Sequence, residues 1–245
     1  MKKYFAKAFL GLCALGTSTV AFAQDAAAPA VESGMHQALK TKFIEGGADF
    51  MSLVAIALIF GLAFCLERII YLNLAETNSS KLLKGIEDAL DKGDVEAAKA
   101  IARDTRGPIA SIAYQGLMRI DQGVDVVERS IVSYGGVQGG LLEKNLSWVT
   151  LFIAMAPSLG FLGTVVGMIM AFDKIEQVGD INPTVVAGGM KVALITTVGG
   201  LIVALILQIF YNYLLSKLES LLNQMEDASI TLIDLVIKYN LKFKK

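Results

Sequence analysis

Two long segments without a charged side chain limit what this chain can fold into more than any other feature of its sequence. The first runs from Leu146 to Phe172 and the second from Val192 to Ser216. Each exceeds the roughly 20 apolar residues with which a helix crosses a lipid bilayer. Because 54% of the residues are hydrophobic and only 18% are charged, the chain is too apolar for an ordinary soluble domain. These segments therefore predict membrane-spanning helices.

A third uncharged run, Phe50 to Leu66, is shorter and is closed by Glu67 and Arg68. At 1.5 Å per residue it covers roughly 25 Å, which is enough for a short span. The predicted fold class is all-α: a polytopic membrane protein with three transmembrane helices, whose long helices extend into a helical cytoplasmic region. The predicted spans are 50–70, 146–172 and 188–214, with a cytoplasmic region at 71–145, a periplasmic connector at 173–187 and a cytoplasmic C-terminal helix at 215–245.

The N-terminus resembles a secretory signal. Lys2, Lys3 and Lys7 precede a short apolar stretch, and Ala21-Phe22-Ala23 forms an A-x-A-like cleavage site. We therefore predict a signal peptide at 1–23 and a periplasmic linker at 24–49. The competing interpretation is an uncleaved membrane anchor, because the uncharged stretch is at the short limit for a span.

The distribution of lysine and arginine predicts the orientation in the membrane. The segment between the first two spans holds ten such residues and the C-terminal tail holds five, whereas the N-terminal segment and the connector hold two each. Cytoplasmic loops carry the excess of positive charge. The middle segment and the C-terminus are therefore expected to be cytoplasmic, and the N-terminus and the connector are expected to lie outside.

Small residues line one face of each long run. In the third span this face reads Gly189, Ala193, Thr197, Gly200, Ala204 and Gln208, and the second span carries Gly160, Gly163, Thr164 and Gly167. Small residues let helix backbones approach each other closely, which favours a role in helix packing. A role in lining a pore stays open, and the two are compatible because a ring of subunits needs tight packing around its lumen.

Several classes of function are not supported. The single histidine, His36, excludes an H-E-x-x-H site, and no phosphate-binding P-loop motif occurs. Cys13 and Cys65 lie in apolar segments and suggest neither a disulfide framework nor a metal site. We expect no enzymatic activity, no metal and no cofactor. A net charge of -1 gives no electrostatic basis for nucleic acid as a partner.

Neither long run contains Asp, Glu or His. Proton relays within a membrane normally use such titratable groups. A threonine hydroxyl can pass a hydrogen bond, but it does not hold a charge near neutral pH. If ions cross the membrane here, the carboxylate must therefore come from another chain.

Two motifs carry a family resemblance. The segment 156–168 reads APSLGFLGTVVGM, and the segment 191–204 reads KVALITTVGGLIVA. Together with Glu67-Arg68 after the first span, they resemble the signatures of the MotA/TolQ/ExbB proton-channel family, and most of all its ExbB branch. The resemblance covers about residues 50–215.

The resemblance implies a homo-oligomeric ring, a pentamer in this family, in the lipid bilayer. An ExbD-type single-span partner places helices in the ring and supplies a membrane aspartate, and proton flow energises a TonB-type protein that drives outer-membrane transport. By motif position, Thr164 and Thr197 match the lumen-facing threonines of the family. Val192 stands where ExbB members carry a glutamate, and its neighbour Lys191 is a candidate for the channel entrance or a side chain that snorkels to the interface.

Three alternatives remain at this stage. A TolQ-like role in envelope integrity would use the same machine with other partners. A gliding or flagellar stator is a second motor function of the same kind. From another class, the chain could be a passive membrane scaffold that holds partner helices without ion flow.

Overall fold

The structure, a computed structural model, describes residues 35–179 and 183–243, and these residues form helices and connecting turns without a strand. The predicted signal peptide at 1–23 and the start of the predicted linker lie outside the described residues. The chain divides into two units, one ending at Lys42 and the other beginning at Phe43. Of the first unit, the structure describes the beginning of one helix.

The described residues form eight α-helices and one short 3₁₀ helix. In chain order the α-helices are α1 (Met35–Glu45), α2 (Ala48–Ala75), α3 (Ser79–Asp91), α4 (Val95–Asp104), α5 (Pro108–Leu117), α6 (Val124–Glu143), α7 (Leu146–Val178) and α8 (Pro183–Phe243), with the 3₁₀ helix at Ile120–Gln122 between α5 and α6. By length and composition, three stretches could cross a membrane: one that includes α2, one that includes α7 and one within α8. The expectation of an all-α protein with three spanning helices is confirmed.

Helix α8 is a single helix of 61 residues, whose first half is apolar enough to span a membrane and whose second half packs against α3, α5 and α6. Its buried residues recur at steps of three and four, the spacing of a coiled-coil seam, with one step of seven from Leu207 to Leu214. They are Ala193, Thr196, Gly200, Val203, Leu207, Leu214, Leu218, Leu221, Met225, Ala228, Leu232 and Leu235, with Val236 buried beside the last of these. Because this seam continues past Lys217, where the charges return, the helix does not break at the predicted boundary of 214.

The helices extend beyond the predicted spans at the connector. Helix α7 continues to Val178 and ends at Gly179, whose φ of 72° is the left-handed conformation that terminates helices and suits glycine. Helix α8 begins at Pro183, a residue that starts helices readily. The predicted connector at 173–187 is therefore largely helical. The predicted linker at 24–49 is also helical from Met35 to Glu45, a segment free of glycine and proline.

Helices α3 to α6 form a small helical group that packs on the second half of α8. Its centre consists of side chains without solvent exposure, among them Ile86, Leu117 and Ile131. Asn78 and Asp94 cap the starts of α3 and α4, where their side chains accept hydrogen bonds from the amides of Lys81 and Ala97. The group fixes the second half of α8 by burying one face of it.

Candidate functional site between α7 and α8

Helices α7 and α8 are in backbone contact along the faces that carry the small residues. A Cβ atom on Gly200 would overlap the carbonyl oxygen of Ala156, and one on Gly160 would lie 3.0 Å from the carbonyl oxygen of Thr196. A Cβ on Gly163 would overlap the methyl group of Thr196. Gly167 faces Ala193, Gly189 faces Ala171, and Ala204 packs against the core from the edge of the seam. The absence of side chains at these glycines is what lets the two helices meet.

Thr164 and Thr197 meet on the faces where these glycines bring the two helices together. Their hydroxyl groups form a hydrogen bond with each other across the helix pair. Each hydroxyl also lies within hydrogen-bond distance of the same two carbonyl oxygens: those of Gly160, at 3.3 Å from both, and of Ala193, at 3.2 Å from both. Both threonines are partly exposed, so the cluster is open on one side.

The cluster has more hydrogen-bond acceptors than hydroxyl hydrogens to donate. The two hydroxyls carry one hydrogen each, and one hydrogen is used between them. The other can be donated to the carbonyl of Gly160 or to that of Ala193. Because both hydroxyls reach both carbonyls, the direction of the Thr164–Thr197 bond can reverse by rotation about the two C–O bonds. The pair can thus relay a hydrogen bond, but neither hydroxyl can store a proton or a negative charge near neutral pH.

Charged side chains line a cavity near the start of α2. This cavity, of about 470 Å³, opens between α2, α7 and α8, and its charged lining residues are Glu45, Asp49 and Lys174. Lys191, the candidate for the channel entrance, forms an ion pair with Glu45 at 2.9 Å and is about half exposed. Val192 is partly buried and faces Gly47. Within the described residues, no three His, Cys, Asp or Glu side chains come together as a metal site would require.

Sequence reasoning missed Thr196. Its side chain has no solvent exposure, and its hydroxyl lies 2.7 Å from the carbonyl oxygen of Gly46 and 2.8 Å from that of Val192. The signal that could have identified it is its spacing from Ala193, Gly200 and Val203. That spacing assigns Thr196 to the buried seam of α8, whereas Thr197 lies on the neighbouring face.

Comparison with known proteins gives consistent matches. A model of the MotA/TolQ/ExbB proton channel family matches residues 104–227, about half of the chain. A biopolymer transport ExbB homolog from Methanothermobacter thermautotrophicus is 28% identical over 75% of this chain. The biopolymer transport protein exbB1 of Vibrio cholerae is 34% identical over 37% of the chain, and the biopolymer transport protein ExbB of Aquifex aeolicus is 37% identical over 32%.

The matched regions are parts of the relatives. They span 65% of the Methanothermobacter protein, 48% of the Vibrio protein and 53% of the Aquifex protein. The family match, by contrast, contains both of the motifs at 156–168 and 191–204, and with them Thr164 and Thr197.

Proposed function

We propose that this chain, which belongs to the MotA/TolQ/ExbB proton channel family, is a subunit of a proton-driven motor of the ExbB type in the bacterial inner membrane. The family match confirms the resemblance that the motifs in spans two and three carry. The chain is a multi-pass membrane protein by its three apolar spans and its family. In the proposed orientation its N-terminus is periplasmic and its C-terminus cytoplasmic.

The observation that carries the proposal is the Thr164–Thr197 hydroxyl pair between two spans that contain no Asp, Glu or His. The pair offers a polar, reversible hydrogen-bond link, yet it lacks a group that accepts a proton. A proton path along this face therefore requires an acid from a second protein. An ExbD-type single-span partner with a membrane aspartate would supply it, and several copies of this chain, a pentamer in the proposal, would surround the partner helices.

The energy for transport would come from the proton gradient. One elementary charge that moves through 100 mV releases about 2.3 kcal/mol. Since this amount is small, useful work requires repeated proton steps coupled to movement of the partner. The proposal assigns that work to a TonB-type protein that drives transport across the outer membrane. The Vibrio and Aquifex relatives are biopolymer transport proteins, which supports a transport role rather than another motor function.

Reconstitution in liposomes tests the proposal. The chain is purified with and without an ExbD-type partner, and proton entry is followed with a pH-sensitive dye under a membrane potential. We expect proton flux only with the partner, and its loss when the partner's membrane aspartate is changed to asparagine. A stable complex without proton flux would contradict the motor and identify a passive scaffold.

A further inference from the structure

The end of α1 and the turn that follows it, residues 45–47, contact the first half of α8 at three points; we call this segment the Glu45 turn. Glu45 pairs with Lys191 at 2.9 Å, and the carbonyl of Gly46 accepts a hydrogen bond from Thr196 at 2.7 Å. Gly47 has a φ of 79°, a conformation that favours glycine, and a Cβ there would lie 3.5 Å from Val192. The turn therefore fits closely against one side of α8.

Thr196 forms the buried contact with this turn. Its hydroxyl has one hydrogen and two carbonyls within reach, those of Gly46 and Val192. The carbonyl of Val192 also accepts the regular bond within α8. The backbone bonds of the turn run from the amide of Gly47 to the carbonyl of Ile44 and from the amide of Met51 to the carbonyl of Gly47. Thr196 is thus the donor that the structure gives to the Gly46 carbonyl.

We propose that the Glu45 turn prevents α8 from rotating about its own axis. In this proposal Thr196 is a positioning residue that keeps the hydroxyl of Thr197 directed towards Thr164. This inference rests on the proposed function of the Thr164–Thr197 pair. Thr196 and Thr197 follow each other in one helix, so their side chains are separated by about 100° around its axis. The methyl group of Thr196 faces Gly163, and the hydroxyl of Thr197 faces Thr164. Any rotation that breaks the contact with Gly46 also moves Thr197 away from Thr164.

The two polar contacts of the turn differ in strength. Lys191 is about half exposed and Glu45 partly exposed, so water screens their ion pair and its contribution is small. The Thr196 bond is buried, and its loss leaves the Gly46 carbonyl without that donor. Of the two polar contacts of the turn, the Thr196 hydrogen bond therefore contributes more to holding α8 than the Lys191–Glu45 ion pair.

The test compares Thr196→Val with Thr150→Val. Valine keeps the shape of threonine and removes the hydroxyl. Thr150 is the matched control because it lies in α7 and bonds only to the carbonyl of Leu146 in its own helix. We expect Thr196→Val to lower partner-dependent proton flux by about threefold to tenfold. Thr150→Val should match the unmodified chain, and Thr196→Ser, which retains the hydroxyl, should restore most of the flux.

A double-mutant cycle with Thr197→Val separates positioning from a general loss of stability. If Thr196 acts through Thr197, adding Thr196→Val to Thr197→Val causes no further loss of flux. Additive losses, or equal flux in Thr196→Val and Thr150→Val, would overturn the inference. If Thr196→Val does not assemble, Thr196→Ser is compared with Thr196→Ala, because both lack the methyl group and differ only in the hydroxyl.

A second readout does not depend on proton flux. In a Thr197→Cys chain, the rate of thiol labelling by a small methanethiosulfonate reports how far the side chain is exposed. We expect Thr196→Val to change this rate at least about threefold and Thr150→Val to leave it unchanged. An unchanged rate with Thr196→Val overturns the positioning role. Full flux in Thr197→Val, by contrast, contradicts the proposed role of the Thr164–Thr197 pair in the proton path and leaves the labelling result to decide the positioning role on its own.

Discussion

At the scale of single residues, the distance between α7 and α8 depends on missing Cβ atoms. Gly200 lies directly against the carbonyl oxygen of Ala156, and a backbone oxygen cannot swing away as a side chain can. Gly188 lies in the same helix but has open space where its Cβ would be. The two glycines therefore differ in packing while they share a helical backbone.

This difference predicts opposite effects of the same substitution. Gly200→Ala should lower the free energy of unfolding by about 1–3 kcal/mol, because the new methyl group forces the helices apart. Gly188→Ala should leave stability unchanged or raise it slightly, since alanine is a better helix former. Denaturant titration in detergent with helical circular dichroism measures both. Equal stability of the two variants would contradict the close packing at Gly200.

The two neighbouring threonines, Thr196 and Thr197, show which contacts can be predicted from sequence patterns and which cannot. Thr197 could be singled out from the sequence because it shares a face with the small residues of span three. The partner of Thr196 could not, because the carbonyl of Gly46 is 150 positions away in the chain. The periodicity of side chains along a helix cannot predict that a backbone carbonyl in a distant turn is the acceptor. Such a contact becomes visible only once the three helices are assembled.

At the scale of elements, ion pairs and hydrogen bonds join the last turns of α8 to α3. We call this contact, formed by Lys238 and Lys242 with Glu87 and Asp91, the clasp. Lys238 pairs with Glu87 at 3.1 Å and with Asp91 at 3.2 Å, and Lys242 donates to the carbonyl of Asp91 at 2.8 Å. The ring of Phe243 lies against Gly93, in the turn after α3. The hydrogen bonds from Lys238 to Glu87 and Asp91 raise the pKa of Lys238, and the bond from Lys238 lowers the pKa of Asp91.

These pKa shifts predict a pH window for the clasp. The stabilisation from Asp91 is present above the pKa of an unfolded aspartate and is lost as the pH falls through its lowered native pKa. That from Lys238 is complete below the pKa of an unfolded lysine and is lost as the pH rises through its raised native pKa. Hydrogen exchange of the last turns of α8, corrected for the intrinsic rate, should show most protection between these limits. Lys238→Gln should flatten the profile, and an unchanged profile in that variant would contradict the clasp.

Element boundaries were predictable only where charge marks them. The uncharged runs identify the spans because burying charge in a bilayer is costly. The return of charge at Lys217 suggests an end of span three, yet the buried seam from Leu214 to Leu235 keeps α8 continuous. Its partners there are α3, α5 and α6, so tertiary packing rather than local composition decides the length of the helix.

At the scale of the whole molecule, the proposed function assigns one half of an ion path to this chain. Helices α7 and α8 bring the Thr164–Thr197 pair together, and neither long span contains Asp, Glu or His as a proton acceptor. The fold class followed from the sequence because hydrophobic runs of this length have few structural solutions in a membrane. The paired hydroxyls required the structure, since the two threonines are 33 positions apart.

The most direct test of this account is proton flux through the partner-containing complex in liposomes, measured for Thr164→Val, Thr197→Val and the double variant. Thr150→Val serves as the control. The account predicts that either single variant lowers flux by at least about tenfold, that the double variant is no worse, and that the control retains full flux in equally assembled complexes. Full proton flux in the assembled double variant would contradict it.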